Sequence, residues 1–299
     1  MELYDVVIIG KGPSGISAAL YTQRGSLKTL IIGREGSSLE KAGKIENYFG
    51  LTVPISGEEL LNIGLNQAKA LGIEVLDEEV TGIDFVENEK YFKVITAAGQ
   101  YYSSTVLIAA GQPNKKIPVE GIKDFEGKGV SYCTTCDGFF YRGLSVGVLG
   151  NGAYAVHEAT ELEAFTKDIT IFTNGTDLNV TDEVADIAGR FKINTEPVQR
   201  ITGGEFLEGI DFKDGRSQKI DGLFVAYGTA SSVDFAKKLG IAAEKNAIIV
   251  DADQCTNVPG IFASGDCTGG FKQVATAVGQ GAVAGKNITN YVRQLKENS

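Results

Sequence analysis

The same local pattern occurs twice in this chain, and each copy dictates a strand, a tight turn and a helix in that order. Val6-Val7-Ile8-Ile9 is a β-branched run that reads as a buried parallel strand. It enters Gly10-Lys11-Gly12-Pro13-Ser14-Gly15, a complete G-x-G-x-x-G, and an apolar helix follows through Ala18, Ala19 and Leu20. Gly10 permits the turn, Gly12 lets a pyrophosphate approach the backbone, and Gly15 packs helix against strand. The helix N-terminus then faces the phosphates. Leu144 to Leu149 repeats the strand, Gly150-Asn151-Gly152-Ala153-Tyr154-Ala155 repeats the turn, and a helix continues to about Phe165. Two βαβ openings predict an α/β protein with two Rossmann-like dinucleotide-binding domains.

The two copies differ at the end of their second strand, where a dinucleotide-binding protein reads the adenosine ribose. In the first, Thr29-Leu30-Ile31-Ile32 is followed by Gly33-Arg34-Glu35, so glycine stands where an acid is expected and Glu35 is the nearest substitute. In the second, Ile169-Thr170-Ile171-Phe172 is followed by Thr173-Asn174-Gly175-Thr176-Asp177. Selection of a 2′-phosphate needs arginines here, yet between Lys167 and Arg190 there is no Lys or Arg. The second turn therefore has two readings: a nucleotide pocket, or a turn kept because it packs a helix on a sheet.

Between the copies lies Ser131-Tyr132-Cys133-Thr134-Thr135-Cys136-Asp137-Gly138-Phe139-Phe140-Tyr141. Cys-x-x-Cys in a chain without a secretory leader is a redox pair or half of a zinc site. Zinc needs two further ligands, and Cys255, Cys267 and His157 offer no matching pair. Redox chemistry is the favoured reading, and Asp137 supplies an acid beside the thiols. His157 reads as an ordinary helix residue, and Cys255 and Cys267 as small core residues.

The remaining elements are a helix from about Gly57 to Leu71 and short strands near Glu79–Phe85, Tyr91–Thr96 and Tyr101–Ser103. A buried strand, Thr105 to Ala110, then ends at Gly111. Ile220 to Tyr227 and Gly260 to Cys267 form further strands, and a helix runs from Gln273 to about Leu295. Asp77-Glu78-Glu79 and Glu87-Asn88-Glu89-Lys90 read as solvated loops. Gly111-Gln112-Pro113-Asn114 and Gly228-Thr229 have the composition of joints. A net charge of −10 argues against nucleic-acid binding. An acidic start and the lack of a long apolar run predict a soluble, cytoplasmic protein that neither spans nor binds a membrane.

Taken together, these motifs resemble the low-molecular-weight thioredoxin reductases over essentially the whole length. The likeness rests on Gly10 to Gly15, Glu46-Asn47, Cys133-Thr134-Thr135-Cys136-Asp137-Gly138, Gly265-Asp266 and Lys272-Gln273-Val274. It implies a glutathione-reductase-type architecture. An FAD domain would be made of residues 1–114 and 229–299, with a pyridine-nucleotide-type domain, residues 115–228, inserted into it. FAD would lie against Gly10, Gly12, Pro13, Ser14, Gly15, Glu35, Asn47, Ala110, Gly111, Gly265, Asp266, Lys272, Gln273 and Val274, its diphosphate on the glycine turn and its ribityl chain on Asp266. Cys136 would face the flavin, Cys133 would attack the disulfide of thioredoxin, and Asp137 would be the acid/base. The resemblance also implies a homodimer whose inserted domain rotates about its joints.

The family's NADPH site carries His-Arg-Arg and a further Arg just after the strand, where this sequence has Phe172 to Leu178. The same loss marks the ferredoxin-dependent flavin thioredoxin reductases, so the expected donor is reduced ferredoxin. Docking an acidic ferredoxin would need a local basic patch, such as Lys41, Lys44, Lys115 and Lys116. If Cys136-Asp137-Gly138 opens a helix, its dipole favours a thiolate. Two alternatives stand beside this reading: a reductase driven by NADPH or NADH, and a non-enzymatic flavin-containing redox sensor or binding module.

Overall fold

The computed structural model describes residues 2–35, 37–111 and 119–298. The chain divides into two compact units, Met1–Pro113 with Ser231–Ser299, and Asn114–Ala230. Of the expected joint at 111–114 only Gly111 is described; Gln112, Pro113 and Asn114 and the lysines Lys115 and Lys116 lie outside the described residues.

The first unit opens with β1 (Leu3–Ile9), α1 (Pro13–Arg24), β2 (Thr29–Ile32), α2 (Gly57–Ala70) and β3 (Glu74–Leu76). β4 (Val80–Val86), β5 (Tyr91–Thr96) and β6 (Gln100–Ile108) follow. The second unit contains β7 (Val130–Ser131), α3 (Thr134–Asp137), β8 (Val146–Leu149), α4 (Ala153–Leu162), β9 (Ile169–Phe172) and α5 (Asp182–Ala188). It continues with β10 (Lys192–Asn194), β11 (Val198–Gly203), β12 (Leu207–Phe212), β13 (Ser217–Lys219) and β14 (Gly222–Val225). The chain then returns to the first unit through α6 (Ser232–Lys238), β15 (Ala243–Glu244), β16 (Ala247–Ile248), β17 (Ile261–Ala263) and α7 (Val274–Glu297).

The first unit is built on a sheet ordered β3-β2-β1-β6-β5-β4, with β17 also pairing with β6. β1, β2, β3 and β17 run parallel to their neighbours, whereas β4, β5 and the start of β6 form an antiparallel meander. The sequence suggested two strands in 101–110. They are one strand, β6, which pairs with β1 in a single register on both sides of Ser104, from Tyr102 with Leu3 to Ile108 with Ile9. β2 is buried along its whole length, as a strand covered on both faces must be. α1 starts at Gly12 with Pro13 in its first turn, where proline's missing N–H costs nothing. α2 starts at Ser56, whose hydroxyl accepts from the Glu59 N–H at 3.0 Å.

α7 lies directly against α1. A methyl group added at Gly281 would sit 2.2 Å from the Ser14 carbonyl oxygen, and one at Gly285 2.5 Å from that of Ala18. Glycine is therefore what allows the two backbones to touch. The acidic run at 77–79 is a loop with Asp77 exposed, as expected, but its carboxylates are paired and Glu78 and Glu79 are half-buried. Glu78 accepts from Thr96 Oγ1 at 2.6 Å and from the Tyr101 hydroxyl at 2.8 Å, while Asp77 pairs with Lys11 and Glu79 with Arg34.

The second unit has a parallel sheet ordered β10-β9-β8-β14-β7 and a separate antiparallel sheet β11-β12-β13. β8, β9 and β14 are each buried throughout. Among the described residues, no helix is long and apolar enough to cross a membrane.

Candidate redox and cofactor site

In the first unit, three strand ends and two helices converge on the glycine turn. Gly10 donates its N–H to the Ile32 carbonyl at 2.8 Å, and Ala109 donates to Ile9 at 2.8 Å. A methyl group at Gly10 (φ 116°) would lie 2.3 Å from the Ala109 carbonyl oxygen, and one at Gly15 2.0 Å from that of Gly10. β17 delivers Ser264, whose hydroxyl lies 2.6 Å from that of Ser14. Gly265 follows at φ 82°, held by the Gln280 side chain, which accepts its N–H at 2.9 Å. Asp266 then opens a short 3₁₀ turn. Gly10 to Gly15, Ala109 to Gly111 and Ser264 to Asp266 are thereby brought to one end of the sheet, the end where an open α/β sheet binds its ligand.

The turn suits a dinucleotide diphosphate such as that of FAD. A methyl group at Gly12 would meet nothing within 4 Å, while its neighbours Gly10 and Gly15 are hemmed in by backbone. Space is thus left at the one glycine a pyrophosphate would approach, at the positive end of α1. Asn47 donates to Gln273 Oε1 at 3.1 Å, which ties an exposed loop to the start of α7 and places Gln273 and Val274 beside it. Glu35 and Lys272 are exposed, and Ala110 is exposed next to the half-buried Gly111. Cys267 is fully buried. Its thiol is pushed up to about 12, mainly by burial, so it stays protonated.

In the second unit, Cys133 and Cys136 are joined by a disulfide with their Cα atoms 5.3 Å apart. The helix here opens at Cys133, three residues before the Cys136 expected from the sequence. Cys133 is the N-cap of α3, and Cys136 lies inside it. The Cys136 N–H donates to Cys133 Sγ at 3.2 Å, so Cys133 is the sulfur that the helix end favours as a thiolate. Cys133 is 3% exposed, whereas Cys136 is exposed.

Ser131 links the disulfide to Asp137. Its hydroxyl donates to Asp137 Oδ2 at 2.6 Å and accepts the Cys133 N–H at 3.1 Å. Gly138 is required because an added methyl would strike the Phe165 ring at 2.7 Å. Sequence reasoning missed Ser131 and also Glu158, a buried acid on α4 whose Oε2 accepts from Thr134 Oγ1 at 2.7 Å. An acid on the inward face of a helix was the available signal for Glu158. His157 lies beside it, with Nε2 3.2 Å from Glu161.

The second glycine turn has the shape of the first, but its neighbouring groups are already engaged with one another. Gly152 caps α4, and its missing methyl would lie 3.5 Å from the Gly228 carbonyl oxygen. Asn151 is occupied: its side chain donates to Thr176 Oγ1 at 3.0 Å and its carbonyl accepts the Asn179 N–H at 2.7 Å. The loop after β9 is thus tied back onto the turn by neutral groups.

Comparison with known proteins places these features in a family. Residues 4–281 match the family model described as pyridine nucleotide-disulphide oxidoreductase. A thioredoxin reductase of Listeria monocytogenes is 33% identical, over 99% of this chain and 96% of its own. The crystal structure of the atypical thioredoxin reductase of Desulfovibrio vulgaris Hildenborough is similar with a TM-score of 0.93 and 39% identity, covering 97% of this chain and 98% of that one. That of a ferredoxin-flavin thioredoxin reductase from Clostridium acetobutylicum gives 0.72 and 29%, covering 98% and 99%.

Proposed function

The chain belongs to the thioredoxin reductases of the pyridine nucleotide-disulphide oxidoreductase family, and we propose that it takes its electrons from reduced ferredoxin and not from NADPH. The observation that carries this reading is the loop after β9. It offers no cation to a 2′-phosphate between Lys167 and Arg190, and it is hydrogen-bonded onto the Asn151 turn. The likeness to a protein described as a ferredoxin-flavin thioredoxin reductase supports the same donor. Within the proposed basic patch, Lys44 is already paired with Glu46 at 2.7 Å, which leaves Lys41 as its described contributor.

Members of this family are FAD flavoproteins, and the bound flavin supplies the two-electron reductant for the disulfide. The residues of this chain have separable tasks in our reading. Gly10, Gly12, Pro13, Ser14 and Gly15 hold the diphosphate, with Glu35 near the adenosine ribose and Asp266 on the ribityl hydroxyls. Asn47, Ala110, Gly111, Gly265, Lys272, Gln273 and Val274 line the flavin. Reduction breaks the Cys133–Cys136 bond and leaves one thiolate and one thiol.

Cys133, held by the Cys136 N–H, is the thiolate that attacks the thioredoxin disulfide, and Cys136 resolves the mixed disulfide. Asp137, fixed by Ser131, passes a proton to the leaving thiolate. The inserted unit rotates about joints near 114 and 228, because one sulfur pair cannot serve a flavin and a bulky protein at once. The protein acts as a cytoplasmic homodimer.

The test is an anaerobic titration of the purified flavoprotein with NADPH, NADH and reduced ferredoxin in turn, followed by flavin absorbance. Bleaching by ferredoxin alone is expected. Rapid bleaching by either nicotinamide nucleotide would overturn the assignment of the donor.

A further inference from the structure

α4 survives in the second unit although the loop beside it has lost the groups that would read a nucleotide, and Glu158 gives that helix another task. Glu158 is 1% exposed and projects from α4 to the residue that follows Cys133. Its Oε2 accepts from Thr134 Oγ1 at 2.7 Å and from the Thr134 N–H at 3.4 Å. Both of these partners are donors, which suits an ionised carboxylate. Thr134 is itself fully buried and is the first residue of α3, so this contact pins the turn that holds both sulfurs. His157 and Glu161 lie in the same cluster, with ligand atoms of the three residues within 4.8 Å of one another.

We propose that Glu158 is a positioning residue of the Cys133–Cys136 pair, and that its charge makes the reduced pair a stronger reductant. Reduction breaks the S–S bond, takes two electrons from the reduced flavin and takes up one proton when one sulfur remains a thiolate. That thiolate forms at Cys133, next to the residue Glu158 holds. A fixed negative charge nearby disfavours the thiolate, and therefore the reduced state. The dithiol consequently gives up its electrons more readily. The carboxylate also takes the Thr134 N–H, leaving the Cys136 N–H as the donor that orients Cys133 Sγ.

The inference rests on Cys133 and Cys136 being the redox pair, so its test does not use thioredoxin. The Cys133–Cys136 couple of the FAD-loaded protein is equilibrated with dithiothreitol redox buffers containing a chelator, which keeps cations out of the His157 cluster. The fraction of free thiol is then counted, and the pH dependence of Cys133 alkylation is measured in parallel. Glu158→Gln keeps an acceptor for Thr134 and removes the charge. It is expected to shift the equilibrium at least tenfold towards the dithiol, about 30 mV, and to move Cys133 alkylation to lower pH.

Thr134→Val keeps the charge and removes the hydroxyl contact. It is expected to shift the equilibrium less than threefold but to slow thiol–disulfide exchange about tenfold, with Thr134→Ser restoring the rate. The proposal is overturned if Glu158→Gln, with normal flavin content, matches the parent in both equilibrium and alkylation profile. It is equally overturned, should Glu158→Gln fail to fold, if Thr134→Val exchanges at the parental rate. A parent protein that equilibrates with dithiothreitol but never reduces thioredoxin would refute the proposed function and leave this inference standing.

Discussion

Two alanine substitutions three residues apart in the first glycine turn are expected to fail in different ways. A methyl group at Gly15 would sit 2.0 Å from the Gly10 carbonyl oxygen and 3.1 Å from Ile8 Cγ2. Restoring an ordinary contact of about 3.4 Å requires α1 to move roughly 1.4 Å away from β1. α7 blocks that movement, because its Gly281 and Gly285 already meet the α1 backbone at Ser14 and Ala18. The strain is backbone against backbone, so the cost belongs at the upper end of overpacking, about 3 kcal/mol. Gly12 is the opposite case. Its φ of −83° suits alanine, and an added methyl meets no protein atom within 4 Å. Gly12→Ala is expected to cost the apoprotein less than about 1 kcal/mol, through the weaker helix cap alone.

The same methyl would occupy the space left for the diphosphate. A clash of about 3 kcal/mol there weakens FAD binding roughly 100-fold. Urea unfolding of the apoproteins and fluorescence titration with FAD separate the two effects. Gly15→Ala should lose stability and flavin together, and Gly12→Ala should lose flavin alone. A Gly12→Ala protein that binds FAD as tightly as the parent would refute the placement of the diphosphate.

Cys136→Ser is expected to accumulate a mixed disulfide between Cys133 and thioredoxin, visible on a non-reducing gel, while Cys133→Ser traps none. Ser131→Ala removes the bond that holds Asp137 and leaves the Cys133 N–H without its acceptor. It should lower stability by about 2–3 kcal/mol and slow thioredoxin reduction while leaving flavin content unchanged. In alkali, Cys267 and Tyr101 keep their protons in the folded state to about 12 in each case, above their ordinary values of 9.0 and 10.0. The unfolded chain therefore ionises first. The stability these groups contribute is complete below pH 9 and is lost as pH rises from 9 to 12, measurable as a falling urea midpoint. Arginines introduced at Thr173 and Asn174 should not confer bleaching by NADPH unless Asn151 is also freed from Thr176 and Asn179, which spectra with NADPH will show.

What could be read from the chain depended on how local the cause was. The strand–glycine–helix openings were legible because period, turn and helix start all occur within about fifteen residues. The run Tyr101–Ala110 was divided wrongly because polar Ser103 and Ser104 look like a break. In the fold, Ser103 is buried, and its hydroxyl accepts the Val7 N–H at 3.0 Å. The short strands β10 to β13 and the β15–β16 hairpin alternate too briefly to be told from loops.

Glu78 and Glu79 read as solvent-facing because their partners Thr96, Tyr101 and Arg34 are distant in sequence. Glu158 belongs to the same class, since it acquires meaning only when α3 packs against α4, whereas Ser131 bonds locally, to Cys133 and Asp137, through a turn that spacing alone does not reveal. The Cys-x-x-Cys spacing announced the sulfur pair but not which sulfur would cap the helix.

The most direct test is to reduce the FAD-loaded protein without oxygen, using a limiting amount of reduced ferredoxin. Oxidised thioredoxin is then added and its thiols are counted. Two thioredoxin thiols for every two electrons are expected from the parent protein, and none from Cys133→Ser or Cys136→Ser. Thioredoxin thiols formed at the parental yield by either variant would contradict a relay through this disulfide.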